Sequence, residues 1–210
     1  MSNGNDIKVS IIETGMRLFN ENGIRRTSVD DVCSDLRISK KTFYSYFDTK
    51  EQLLEEMMSF IMKKIDNEYQ TMIRGKNSIE CMLMMIKKTY IINESHNSIL
   101  QDDFEKYYPK LHKKFKGQFT KMFRRSFEQN LRQGIEEGYY RPELDVELLS
   151  TFQVFYTGSH AKFEMRLMKI FSRKRILDFF NDVFIRAVVN DAGMKYFEEN
   201  YYDKNDISQK

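Results

Sequence analysis

Within residues 39–50 the chain places Ser39, Lys40, Lys41, Thr42, Tyr44, Tyr46 and Lys50, a run of hydroxyls, ammonium groups and phenols. A lysine ammonium donates to guanine O6 and N7, a threonine methyl packs against a thymine methyl, and a tyrosine hydroxyl reaches a backbone phosphate. Thr27 and Ser28 add two hydroxyls upstream, suited to a phosphate on the opposite side, although Ser28 serves equally well as a helix cap. Donors of this kind can read base edges and hold phosphates.

Such groups are useful only on a rigid support, and the neighbouring residues supply one. From Ile7 to Asn22, Val9, Ile12, Met16 and Phe19 recur at spacings of three and four, the period of a half-buried helix, and Gly23 follows where a helix ends in a left-handed residue. Ser28 and Asp31 form a capping box that opens a second helix, with Val29, Val32, Cys33 and Leu36 as its apolar side. Arg37 and Ile38 make the turn, and Ser39 caps a third helix running to Phe47, whose Phe43 and Phe47 point one way at i and i+4. A further box, Thr49 to Gln52, starts a long helix that reaches Arg74 before Gly75. The two short helices and their turn place Lys40, Lys41 and Thr42 at the end that enters a major groove. Which of them meets a base and which a phosphate is open. Lys50, in the first turn of the following helix, is expected on a phosphate, where free N–H groups also favour an anion.

Composition agrees with a helical, soluble chain. Hydrophobic residues make up 41% and charged residues 31%, with 2 Pro and 9 Gly, too few breakers for a turn-rich β fold. No apolar window is long enough to span a membrane, and the N-terminus lacks a secretory pattern, so a cytoplasmic protein without membrane association is expected. The net charge of +3 decides nothing by itself, but residues 25–50 hold six basic side chains against four acidic ones. Two of those acids, Asp30 and Asp31, sit in a first helical turn, where the helix dipole favours them. The cysteines Cys33 and Cys81 suit neither a disulfide framework nor a zinc knuckle, and His96, His112 and His160 form no metal-ligand spacing. No phosphate loop or nucleophile elbow is present, so neither a cofactor, a metal nor an enzymatic activity is expected.

The run Thr27, Val29, Val32, Ile38, Ser39, Lys40, Thr42, Phe43, Tyr44, Tyr46, Phe47, Lys50, Glu51, Leu53 resembles the DNA-binding domain of the tetracycline-repressor (TetR) family. The stretch from Gly134 to Leu144 resembles, more weakly, the end of that family's seventh helix. The resemblance implies an all-α homodimer: an N-terminal three-helix helix-turn-helix domain and a C-terminal helical domain for ligand binding and dimerisation. The expected division is residues 1–50 and 51–210, linked by the 49–74 helix. Two departures stand out. Arg37 occupies a turn position that is usually Gly, where a positive φ is eased, and Lys41 occupies another usual Gly, adding a charge on the DNA side.

The rest of the chain reads as helices at Ser78–Ser95, Ser98–Tyr108, Phe115–Glu137, Leu144–Met168 and Lys174–Asn190, with a polar, frayed end from Glu199. Met82, Met85, Tyr90, Phe104, Tyr107, Phe152 and Phe155 either line an apolar effector cavity or fill the core, and spacing does not separate the two. Leu148, Phe152, Phe155, Tyr156, Ser159 and Phe163 stripe one late helix; Ile176, Phe179, Phe180, Val183, Phe184 and Ala187 stripe the next. Their surplus of apolar side chains suggests a four-helix dimer seam at Tyr156, Ser159, Phe163, Phe180, Val183, Phe184 and Ala187, with Phe152 claimed by both seam and cavity. The resulting expectation is a homodimeric repressor released from a palindromic operator by a small hydrophobic ligand. The alternatives are a helical small-molecule carrier or enzyme, for which no acid–base or metal constellation exists, and an architectural DNA binder without an inducer.

Overall fold

A computed structural model of the 210-residue chain describes residues 4–85, 98–158 and 169–201. Its elements are α1 (Gly4–Asn22), α2 (Val29–Leu36), α3 (Lys40–Tyr44), α4 (Lys50–Ile73), α5 (residues 78–85), α6 (Ser98–Tyr107), α7 (Pro109–Glu136), α8 (Val146–Gly158), α9 (Arg173–Val188) and α10 (Asp191–Tyr201). The protein is all-α; among the described residues the only β feature is one antiparallel bridge between Tyr140 and Val189. Two compact units form, Met1–Tyr69 with Ser95–Phe119, and Gln70–Glu94 with Thr120–Lys210. The first therefore runs past residue 50 and takes in α6 and the start of α7.

In the first unit, Ile11, Phe19, Ile24, Val32, Phe43, Phe47 and Leu53 close one core. Phe43 and Phe47 meet at 5.7 Å between ring centroids, the one-sided pair that the i, i+4 spacing requires. Local chemistry sets the ends of these helices. Gly23, at φ +84°, closes α1. At α2 the Asp31 N–H donates to Ser28 Oγ at 3.1 Å, and the Ser28 N–H donates to Asp31 Oδ2 at 2.7 Å, a complete capping box. The cap hydrogen bonds hold the Asp31 carboxyl below its usual range, the Ser28 backbone bond contributing most.

α2 ends in a Schellman motif with an unusual occupant. The Ile38 N–H donates to Cys33 O at 3.0 Å and the Arg37 N–H to Ser34 O at 3.2 Å, with Arg37 left-handed at φ 53° and ψ 41°. A side-chain-bearing residue loses about 1–2 kcal/mol in that region. Glycine would relieve this while adding unfolded-state entropy worth about 0.5–1 kcal/mol, so the relief wins. Arg37→Gly is expected to stabilise the protein by about 0.5–1 kcal/mol, raising the melting temperature by roughly 1–4 °C for a chain of this size. A lowered melting temperature would show that the Arg37 side chain does more than the backbone strain undoes.

The expected box at the head of α4 is staggered. Gln52 N–H donates to Thr49 Oγ1 at 3.1 Å, but the Gln52 side chain accepts from the Asp48 N–H, one residue ahead of Thr49. α6 ends where expected, but Pro109 does not merely stop it. Pro109 is the first residue of α7, where its missing N–H is not needed, so that helix starts six residues before Phe115. Phe104 of α6 and Leu111 and Phe115 of α7 are buried in the first core.

The second unit is organised on Tyr140. Its buried hydroxyl lies 3.0 Å from Ser78 O and 3.1 Å from Asn130 Oδ1, while Asn130 Nδ2 donates to Ser78 O at 2.8 Å. Burial pushes the phenol pKa up, so the group stays protonated and keeps its proton for a hydrogen bond. Leu131, Phe184, Ile185 and Val188 pack around it. Gly138, at φ +76°, closes α7 in a second Schellman motif, with the Tyr139 N–H donating to Gly134 O at 3.0 Å. Cys81 is buried beside this core, and burial, aided by Glu137 and Glu80, pushes its thiol up to about 11.

Asp145 caps α8, accepting from the Leu148 N–H at 2.9 Å, and Ser172 caps α9. α10 was not expected. Asn190 ends the preceding segment and caps it, accepting from the Gly193 N–H at 2.9 Å. Gly193 lies too close to Tyr139 O for any side chain, the distance from a built Cβ being 2.1 Å.

Candidate nucleic-acid interface

α2, the Arg37 turn and α3 present one solvent-facing group of side chains. Ser39 caps α3, with Oγ accepting from the Thr42 N–H at 3.0 Å and lying 2.9 Å from Thr42 Oγ1. The helical part of α3 stops at Tyr44; the Ser45 N–H still bonds Lys41 O at 3.1 Å, and the Tyr46 N–H bonds Phe43 O at 3.0 Å, so the turn continues the same rod in tighter form. Tyr44 is 49% exposed, its ring edge-on to Phe43 at 5.4 Å, which fixes the ring and leaves the face outward. Lys41 is exposed and makes no ion pair among the described residues. Lys40 is exposed as well, but its ammonium lies 2.8 Å from Asp30 Oδ1. The Asp30 hydrogen bond is the main cause of its raised pKa.

Three expected contacts are placed differently. Thr27 is buried, and its hydroxyl donates to Leu18 O at 3.2 Å and Gly23 O at 3.0 Å. Its side chain fastens the α1–α2 connection and has no face toward a phosphate. Lys50 is half-buried: its ammonium donates to Ile24 O and stands 5.6 Å from the centre of the Phe19 ring. Burial lowers its pKa, against the pull of Asp103 and Asp31. It ties the head of α4 to the same connection. Tyr46 is half-buried against the first core, so only its edge is free to meet a ligand. Ser28 keeps its exposed hydroxyl in the capping box, donating to Asp31 Oδ2 at 2.7 Å.

Sequence reading passed over Arg25. Its N–H donates to Asp103 Oδ2 at 2.9 Å, its guanidinium donates to the Tyr107 hydroxyl at 2.8 Å, and it lies over the Tyr107 ring at 5.2 Å. The α1–α2 connection is thereby held to α6. Arg25 carries no local sign of this, because its partners lie 78 and 82 residues away.

These features are those of known regulators. Residues 11–57 match the model for bacterial regulatory proteins of the tetR family. The chain is 43% identical over 54 residues to the HTH-type transcriptional regulator YuxN of Bacillus subtilis (strain 168), a match that covers 26% of this chain and 19% of YuxN. It is 26% identical over 152 residues to the HTH-type transcriptional repressor KstR2 of Mycobacterium tuberculosis, covering 70% of this chain and 76% of KstR2. The segment spanning residues 11–57 is therefore that of the TetR family's DNA-binding domain.

The helical architecture beyond the matched segment agrees. Reduced NemR of E. coli superposes with a TM-score of 0.67 at 14% identity, covering 88% of this chain and 98% of NemR. FadR of Bacillus subtilis, solved in complex with stearoyl-CoA, superposes with a TM-score of 0.62 at 17% identity, covering 85% of this chain and 98% of FadR. The first unit thus holds a TetR-type helix-turn-helix, and the fold of the helical remainder is that of these regulators.

The effector candidates divide between the units. Phe104 is buried in the first core, edge-on to His112 at 5.4 Å, and Tyr107 is exposed beneath Arg25. Met82 is buried in the second core, with Sδ 3.9 Å from the Tyr140 hydroxyl, and Met85 is half-buried there. Phe152 is 58% exposed. Tyr90 lies outside the described residues, and Phe155 lies in α8 with its side chain outside them.

Of the expected seam, Val183 is 47% exposed and Ala187 half-buried. Phe184 is a correction. It is buried in its own unit, edge-on to Phe127 at 5.9 Å, because it lies about 100–140° around α9 from Val183 and Phe179. On α8 and α9 the exposed large apolar residues among those described are Leu148 at 64%, Phe152, Phe179 at 61% and Val183. Tyr156 and Phe180 lie in helices with side chains outside the described residues, and Ser159 and Phe163 lie outside them altogether. No cluster of His, Cys, Asp and Glu among the described residues suits a metal, and no helix among them is long and apolar enough to cross a membrane.

Proposed function

We propose that this regulator is a homodimeric repressor that places α3 of each protomer in a major groove of a palindromic operator and leaves the DNA when a small hydrophobic ligand binds its helical domain. The observation that carries the DNA reading is the outward face of α3, with Lys41 and Tyr44 exposed on a helix whose other side is locked by buried Phe43. Lys41 and Thr42 are the base-facing candidates, and Tyr44 and Ser39 the phosphate-facing ones. The naming of KstR2 as a repressor and the stearoyl-CoA complex of FadR support repression and an apolar effector. Arg25 gives the control a physical route, since any shift of α6 pulls on the connection that carries Thr27 and Ser28. A ligand with this effect binds the released state better than the DNA-bound one, and by linkage DNA weakens ligand binding by the same factor.

The test is a fluorescence-anisotropy titration of the protein onto the DNA upstream of its own gene and onto a random duplex of equal length. It is run at several salt concentrations, with and without added acyl-CoA thioesters and steroids. A dimer with about 6–10 phosphate contacts should lose roughly 10³–10⁵ in affinity between 50 and 200 mM salt, and keep a preference for the upstream DNA. Binding that ignores salt, or shows no preference, would sink the operator reading.

A further inference from the structure

We propose that Asp30 is a specificity-determining residue, a carboxylate set among the DNA-facing groups that holds Lys40 in the free protein and surrenders it only where the DNA contact outcompetes the pair. The inference rests on the DNA reading above and deepens it.

The two acids at the head of α2 have different occupations. Asp31 is consumed by the cap, accepting from both the N–H and the hydroxyl of Ser28. Asp30 takes no part in the cap, and among the described residues its ion pair is with Lys40, at 2.8 Å, with side-chain exposures of 62% and 61% for Asp30 and Lys40. An ion pair this exposed adds little to folding. Its effect on binding is larger, because it acts where phosphates must come. A lysine already neutralised by a carboxylate displaces no counterion from DNA until that carboxylate is left behind. The start of a helix ordinarily attracts phosphate, but here the first turn of α2 carries Asp30 and Asp31 and repels it. With Lys50 turned inward and Arg25 held by Tyr107, the cations of this segment without an ion pair among the described residues are Arg26, Arg37 and Lys41, and Asp30 decides whether Lys40 joins them. Nonspecific affinity comes almost wholly from phosphate charge, so a carboxylate at this position penalises random sequence more than a site that offers Lys40 a specific acceptor.

The experiment measures binding of wild type, Asp30→Asn, Asp30→Glu and the Asp30→Asn/Lys40→Ala double variant to a random duplex and to the upstream DNA across a salt series. Thermal melts confirm folding. Asp30→Asn should bind the random duplex about 3- to 10-fold more tightly, with the salt slope steeper by about 0.9 per protomer, and its preference for the upstream DNA should fall. Asp30→Glu should behave as wild type, and the double variant should lose the gain, since the effect passes through Lys40. Asp30→Asn with unchanged random-duplex affinity and slope, or a gain that survives in the double variant, would overturn the proposal. A melting shift alone would mean that Asp30 serves only the dipole of α2. Failure of the wild type to bind any duplex would be a different result, overturning the DNA reading from which this inference starts.

Discussion

Gly134→Ala is expected to lower the melting temperature by roughly 5–15 °C, whereas Gly117→Ala on the same helix should raise it by a few degrees. A Cβ built at Gly134 would lie 2.1 Å from Tyr140 Cδ2 and 2.3 Å from Cε2. The ring has nowhere to go. It is 1% exposed, and its hydroxyl is held by Ser78 O and Asn130 Oδ1. Overpacking costs about 1–3 kcal/mol and sometimes more, and breaking the hydroxyl's buried bonds adds about 1–3 kcal/mol. Alanine returns about 1 kcal/mol of helix propensity, too little to compensate. The net loss is therefore about 2–4 kcal/mol, each worth roughly 2–4 °C at this chain length. Nothing lies within 4 Å of a Cβ at Gly117, so there the propensity gain stands alone. Equal melting temperatures for the two variants would show that Tyr140 does not fill the space against α7.

The Leu148→Asp/Phe179→Asp double variant is expected to raise the dimer dissociation constant by more than about 10³-fold and to weaken operator binding with it. Leu148 and Phe152 are one helical turn apart on α8, as are Phe179 and Val183 on α9, and all four face outward. Large apolar side chains in such an arrangement mark an interface more often than a solvated surface. Covering each is worth about 1.5–3 kcal/mol, and an unpaired charge in a buried interface costs about 3–5 kcal/mol. A twofold interface repeats every substitution, so both figures count twice. Sedimentation equilibrium across a concentration series reads the result directly. A double variant that remains dimeric at wild-type concentrations would place the seam elsewhere.

What was legible in the sequence is what is decided within a few residues. Ser28 with Asp31 and Ser39 with Thr42 are cap pairs three residues apart, and each opens a helix at the expected place. The strain at Arg37 was legible too, because only glycine adopts that backbone freely. Thr27 and Lys50 were not. Both are of the right chemical type for a phosphate contact, but their direction is set by carbonyls of the α1–α2 connection, 4 to 26 residues distant. Val183 and Phe184 make the same point on α9: adjacent, both apolar, and pointing to opposite environments. An apolar stripe shows that a helix has more than one greasy side without showing which neighbour covers each. Asn190 and Pro109 were read as ends of helices when each also begins one, because the same residue types serve both positions.

The junction of α6 and α7 has a mechanical meaning. Tyr108 is the only residue between the two helices, and Pro109 follows it with its own φ locked by the ring. A residue before proline is itself confined to extended backbone. The joint therefore has scarcely one soft torsion, and α6 turns about it as a crank turns on a pin, without room to slide. Whatever moves α6 delivers an angle, and Arg25, gripped by Asp103 and Tyr107 in the last turn and a half before that pin, receives it as a rotation with little displacement.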